Sequence, residues 1–133
     1  MKTFPHQELT KSIIGIYYDV YNELGFGFLE KVYHNAMIIE LKNRGYEVES
    51  QVKLNVFYKK EIVGEYIPDI IVNKSVIIEL KCVEYIIDSH ECQLLNYLKA
   101  TECEVGLLLN FGKDPQFIRK IFTNEFKKHK DRF

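Results

Sequence analysis

Ile67-Pro68-Asp69-Ile70-Ile71-Val72-Asn73-Lys74-Ser75-Val76-Ile77-Ile78-Glu79-Leu80-Lys81 is the stretch that decides how this chain folds. Two apolar runs, Ile67 to Val72 and Val76 to Leu80, flank a short polar turn. Runs of this length bounded by turn residues read as β-strands, and a charge inside such a strand is costly unless it is paired or binds a metal. On a strand Glu79 and Lys81 point to one face and Leu80 to the other. Whether Asp69 joins them depends on the turn. A two-residue turn at Asn73-Lys74 would pair Asp69 with Ile78 and send Glu79 to the opposite side. A three-residue turn, Asn73-Lys74-Ser75, pairs Asp69 with Glu79, and cross-strand partners share a face. A metal-binding reading therefore predicts the three-residue turn or a bulge with the same effect. Two acids and a lysine meeting at one spot suit a divalent cation and the water it activates.

Upstream, Leu9, Ile13, Ile16, Tyr17, Val20, Tyr21 and Leu24 form a helical stripe from His6 to Leu24, ended by Gly25. Gly25-Phe26-Gly27 makes a turn, and a second helix runs from about Phe28 to Arg44, stopping at Gly45. Val48, Val52, Leu54 and Val56 alternate with polar residues and predict one half-buried strand. A turn at Lys59-Lys60 leads into a strand from Ile62 to Val72, and a third strand follows from Val76 to Lys81. Downstream, Asp88-Ser89-His90-Glu91 reads as a capping box opening a helix to about Ala100. Val105 to Leu109 reads as a strand buried on both faces. Asp114 as N-cap and Pro115 at the first helical position predict a last helix carrying Phe117, Ile118, Ile121, Phe122 and Phe126. The expected order is α-α-β-β-β-α-β-α, an α/β domain spanning residues 1–133 with no repeats or linker.

At 133 residues, 47% of them hydrophobic and 28% charged, the chain has the make-up of one globular domain. No apolar run reaches membrane-spanning length, and the N-terminus has no signal-peptide core, so a cytoplasmic location without membrane contact is expected. Cys82, Cys92 and Cys103 form no CxxC pair, which argues against disulfides and a zinc site and for buried thiols. The net charge of −1 offers no broad basic surface for phosphate, although Lys113 to Phe133 holds seven Lys/Arg against three Asp/Glu. That basic tail reads first as a solvated helix end.

Other residues fit the acid–lysine cluster. Glu30 opens the second helix in line with Tyr33, Met37 and Leu41. The macrodipole alone would favour an acid there, and a carboxylate delivered to the metal site is the sharper reading. His90, Gln93 and Tyr97 share one face of the third helix. Gln93 and Tyr97 could face the cluster and orient Lys81 or a phosphate; a polar helix side with a half-buried tyrosine is the plainer reading. The segment Gly25 to Glu30 lacks the lysine and preceding strand of a phosphate loop. No serine lies in a nucleophile-elbow context. The aromatic residues fall mostly at core spacings, and no exposed stacking platform is legible among them.

Together, Pro68-Asp69, Glu79-x-Lys81 and the α-β-β-β-α-β order resemble the PD-(D/E)xK nuclease superfamily, whose restriction-endonuclease-like core is a mixed central sheet of about four strands flanked by helices. Gln93-x-x-x-Tyr97 after the lysine resembles the extra motif of its RecB-like branch. Gly27-Phe28-Leu29-Glu30-Lys31-Val32-Tyr33 is similar to the signature of the small GxxExxY proteins, as are the segments around His90 to Leu98 and Leu108 to Gly112. The resemblance covers roughly Glu8 to Phe122. It implies that Asp69, Glu79 and Glu30, with the Leu80 carbonyl, hold Mg²⁺ or Mn²⁺. It further implies that Lys81 orients and helps deprotonate the attacking water, and that Gln93 and Tyr97 support Lys81 or the substrate backbone. The implied activity is hydrolysis of phosphodiester bonds, with DNA as substrate and RNA as the alternative. A homodimer or a partner protein would supply gripping surface that so small a chain lacks. Two readings compete with the nuclease: a nucleic-acid- or protein-binding module that keeps the fold without turnover, and a buried ion-pair network in which Lys81 bridges both acids.

Overall fold

The computed structural model describes residues 5–127. Two helices open it, α1 (Gln7–Leu24) and α2 (Glu30–Asn43). Five strands follow: β1 (Val48–Ser50), β2 (Leu54–Tyr58), β3 (Glu61–Tyr66), β4 (Ile70–Val72) and β5 (Val76–Lys81). Helix α3 (Asp88–Lys99) leads to β6 (Val105–Asn110), β7 (Gln116–Ile121) and a 3₁₀ turn at Asn124–Phe126. The central sheet is mixed and five-stranded, in the order β1-β4-β5-β6-β7; β2 and β3 form a separate two-stranded hairpin. Only β5 and β6 run parallel, joined by the α3 crossover, while the other neighbours are antiparallel.

Strand periodicity divides the core in two. Val76, Ile78 and Leu80 of β5, with Val105, Leu107 and Leu109 of β6, face α1 and α2 and meet Ile13, Ile16, Tyr17, Tyr33, Met37 and Leu41. The alternate residues Ile71, Ile77 and Leu108 face α3 and pack on Leu94, Tyr97 and Leu98. All of these are buried, and a fully buried side chain of this size contributes about 1.5–3 kcal/mol. Helix α3 can approach the sheet because Gly106 lies beneath it. A Cβ there would stand 2.6 Å from a Leu94 methyl carbon.

Several expectations are corrected. The single strand expected from Val48 to Val56 is two strands in different sheets, because Gln51 takes a left-handed φ of 54° and breaks the ladder. The strand expected from Ile62 to Val72 also breaks, at Ile67-Pro68-Asp69, where proline has no N–H to give and the chain crosses from the hairpin to the central sheet. The expected last helix is β7. Its residues pair with β6, Phe117 opposite Leu109 and Ile121 opposite Val105, while Asp114 and Pro115 sit in the hairpin loop. Phe126 lies in the 3₁₀ turn and is exposed. The central sheet thus has five strands rather than about four. Helix α3 is capped at Ile87, whose amide donates to Nδ1 of His90 (3.2 Å); His90 takes the role expected of Glu91.

All three cysteines are free, and Cys92 is exposed rather than buried. In the basic tail, Lys120 pairs with Glu91 (2.7 Å) and Lys127 donates to the carbonyls of Thr101 and Cys103; residues 128–133 lie outside the described part. Among the described residues no helix is long and apolar enough to cross a membrane.

Candidate active site

The turn between β4 and β5 has three residues, Asn73, Lys74 and Ser75. Val72 pairs with Val76, Ile71 with Ile77 and Ile70 with Ile78. Asn73 and Lys74 take left-handed φ angles of 51° and 52°, and the Ser75 amide closes the turn on the Val72 carbonyl at 2.9 Å. Continued by one residue, this register sets Asp69 opposite Glu79, the arrangement that a shared acidic face requires. The strands then stop exchanging main-chain bonds with each other, and the side chains take over. The Asp69 amide donates to Glu79 Oε1 (2.7 Å), and the Leu80 amide donates to Asp69 Oδ2 (2.8 Å). Each carboxylate is thereby held by a rigid main-chain donor, with its second oxygen left over.

Leu80 offers a further oxygen on the same side. The Lys81 carbonyl accepts the Phe111 amide (2.8 Å) on the β6 side. Main-chain polar groups alternate along a strand, so the Leu80 amide and carbonyl turn toward β4, where Asp69 takes the amide.

Burial sets the electrostatics. Glu79 is 4% exposed, and desolvation, reinforced by the charge of Asp69, pushes its carboxyl up to about 8. Hydrogen bonding from the Asp69 amide and the charge of Lys81 oppose the rise, while Glu30 adds to it. Asp69 is also raised by burial, against the Leu80 amide and the charges of His34 and Lys81. Glu30 is raised by desolvation and then by the charge of Asp69. Burial and the nearby charges of Glu79 and Asp69 push the Tyr97 hydroxyl up as well.

The expected residues are therefore brought together unequally. Asp69 and Glu79 form a bonded pair, with Leu80 attached. Glu30 is exposed at the first turn of α2 and faces the pair only through its charge, whereas Tyr33, Met37 and Leu41 of its stripe are buried. Lys81 is half-buried on the α3 face and senses both acids, but among the described residues no cationic nitrogen lies within 4.0 Å of either carboxylate. The described residues thus form no closed network bridged by Lys81. Tyr97 is buried close to both acids, with its ring 5.4 Å from that of Tyr66. Gln93 is exposed, and none of the described hydrogen bonds ties its side chain to Lys81.

One residue near the site was not anticipated. His34, one turn after Glu30, brings Nε2 to 3.2 Å from both the Asp69 carbonyl and Ser50 Oγ. Its i+4 spacing from Glu30 was the available signal, masked by the stronger apolar stripe of Tyr33, Met37 and Leu41.

The oxygen set fits a hard divalent cation in part. Among the described residues no three His, Cys, Asp or Glu side chains converge tightly enough to hold an ion. The two carboxylates meet, strand alternation turns the Leu80 carbonyl to the same edge of β5, and a buried acid pair without a counter-cation is electrostatically incomplete. Mg²⁺ commonly takes one or two carboxylates and keeps several waters, so this donor set suffices for it.

No curated protein matches this sequence. The crystal structure of SSO0001 is similar, with a TM-score of 0.59 and 19% identity; the match covers 89% of this chain but 60% of that one. This likeness bears on the fold alone. The family model of the PD-(D/E)XK nuclease superfamily matches residues 7–121, from the start of α1 to the end of β7. The chain belongs to the PD-(D/E)XK nuclease superfamily.

Proposed function

We propose that this protein is a metal-dependent nuclease of the GxxExxY type, within the RecB-like branch, hydrolysing phosphodiester bonds of DNA. Membership of a superfamily whose nucleases usually use divalent metals supports the general reading. The observation that carries it to particular residues is the Asp69–Glu79 pair, placed on one face by the register and lacking a cationic partner within 4.0 Å among the described residues.

In this reading Asp69, Glu79 and the Leu80 carbonyl hold Mg²⁺ or Mn²⁺, and Glu30 contributes from α2. When bound, such an ion polarises the phosphate and lowers the pKa of a coordinated water. The chain's own residues do the rest. The main-chain amides of Asp69 and Leu80 fix the two carboxylates so that little reorganisation is needed. Lys81, on the same face as Glu79, orients the attacking water, helps deprotonate it and offsets charge on the phosphate. Tyr97 and Gln93 support Lys81 or the substrate backbone. Residues 1–133 act as one domain, and a second copy or a partner protein extends the grip on nucleic acid.

Cleavage of single- and double-stranded DNA and of RNA, with Mg²⁺ or Mn²⁺, tests the proposal. Metal-dependent cutting that EDTA and Lys81→Ala both abolish is the expected result. Equal behaviour of wild type and Lys81→Ala on every substrate, inertness included, would instead favour a non-catalytic binding module. The lack of a three-acid cluster among the described residues is the observation that keeps this second reading in play.

A further inference from the structure

Two blocks of sequence have no task at the acid pair: Phe26-Gly27-Phe28, before Glu30, and Asn110-Phe111-Gly112, at the end of β6. The fold brings them together. A cleft of about 360 Å³ opens between the α1–α2 turn and the segments that follow β5 and β6, lined by Phe26, Phe28, Cys82, Glu84, Phe111 and Lys113 among others.

Its walls are rigidly built. Asn110 is fully buried, and its Oδ1 accepts the amides of Val83 (3.0 Å) and Gly112 (3.1 Å) while Nδ2 donates to the Val83 carbonyl (2.8 Å). One amide side chain thus ties the two loops together. Gly112 is required by that approach, since a Cβ there would lie 2.2 Å from the Val83 carbonyl oxygen. The Tyr21 hydroxyl lies 2.9 Å from the Gly112 carbonyl and 2.6 Å from that of Lys113. Across the cleft, the Tyr33 hydroxyl donates to the Gly25 carbonyl (2.6 Å) and accepts the Phe28 amide (3.2 Å), and its ring stacks on Phe111 at 4.4 Å.

Within this frame Phe26 and Phe28 stay 57% and 50% exposed. Two stretches of chain link the cleft to the candidate site. Cys82 directly follows Lys81, and Phe28 lies two residues before Glu30, whose charge reaches Cys82.

We propose that this cleft is a pocket for an unpaired nucleobase next to the acid pair, so that the substrate is single-stranded at the point of attack. The proposal rests on the nuclease reading and deepens it. Exposed aromatic rings on a rigid frame are what a base needs in order to stack, and a base inside a duplex has no free face to offer them. The rim matches the rest of a nucleotide. Lys113 is an exposed cation for the phosphate, and the Glu84 carboxylate is an acceptor for a base N–H group, the ring N–H of thymine included. The cleft volume lies within the range of small-molecule sites.

The test measures binding, so it does not depend on turnover. Fluorescence anisotropy of a fluorescein-labelled oligothymidylate and of a duplex of equal length is followed in EDTA with the full-length chain. Wild type is expected to prefer the single strand, and Phe26→Ala to weaken that binding by roughly 5- to 150-fold, the loss of one stacked base. Phe26→Trp keeps a ring at the cleft and should retain binding. The chain has no other tryptophan, so quenching of its emission by the oligonucleotide reports stacking directly. Equal affinity of wild type and Phe26→Ala, or a preference for duplex, overturns the pocket. If wild type still cleaves with metal in that event, the nuclease reading stands without the pocket. If it neither binds nor cleaves any nucleic acid, both fall.

Discussion

Replacing Glu79 by glutamine removes a charge that the fold buries at high cost, and the consequence is a stability difference that grows with pH. The glutamine carbonyl can still accept the Asp69 amide that Glu79 Oε1 accepts at 2.7 Å. In the wild type the Glu79 carboxyl is pushed from 4.5 up to about 8, chiefly by burial. Between those values the native state holds a proton that the unfolded chain has released. This contribution is therefore fully present below pH 4.5 and is lost as pH rises through about 8. A tenfold difference in proton affinity between the folded and unfolded chains is worth about 1.4 kcal/mol. Wild type should accordingly lose roughly 2 kcal/mol by pH 6 and about 5 kcal/mol above pH 8.5 relative to Glu79→Gln. Urea unfolding of both proteins across that range in EDTA gives the difference directly. The curves should converge at low pH and diverge upward, with Glu79→Gln the more stable at high pH. Saturating Mg²⁺ should then restore wild type by about 2.7 kcal/mol at a hundredfold excess over its Kd, and the variant by far less. A difference independent of pH, or a wild type that is the more stable at high pH, would refute the buried, uncompensated acid pair.

Asp69→Asn should keep its bond to the Leu80 amide and remain folded, yet lose most of the Mg²⁺-induced rise in Tm seen with wild type, as read by differential scanning fluorimetry. Asn110→Ala strips partners from two amides and a carbonyl at a buried position and should cost about 2–4 kcal/mol in urea unfolding. Arg44→Ala, by contrast, removes only solvent-screened ion pairs to Asp19 and Glu40 and should leave the urea midpoint almost where it was.

What the sequence disclosed follows from the range over which each signal acts. The β4–β5 register was legible because a period of two allows only two outcomes and a buried acid pair selects between them. Val105 to Asn110 was legible because a strand covered on both faces is apolar throughout. β7 was not. Phe117, Ile118, Ile121 and Phe122 satisfy a helical stripe as well as a strand, and the choice is made by β6, a partner whose influence no local spacing expresses. The splits at Gln51 and Pro68 were hidden because the apolar pattern runs on through both while the backbone changes sheet. At the candidate site, strand geometry placed Glu79 and Lys81 on one face, and the metal-binding reading of the turn brought Asp69 to them. His34 could not, because its contact with the Asp69 carbonyl depends on how α2 lies against β4. The exposure of Phe26 and Phe28 was equally invisible, since a phenylalanine in a turn, or before the true start of a helix at Glu30, carries no periodicity to say which way it faces.

The break at Pro68 has an architectural corollary. Ser50 pairs with Ile70, and the Gln51 amide donates to the Asp69 carbonyl at 3.1 Å, so the chain leaves the central sheet and re-enters it at adjoining points. The β2–β3 hairpin is thus a detour whose two ends already touch. Its tip carries Tyr58, Lys59, Lys60, Ile62 and Val63 into solvent. Such a detour behaves as a socket: the projection can be lengthened, exchanged or trimmed above its Leu54–Tyr66 base while the neighbouring carboxylates keep their register.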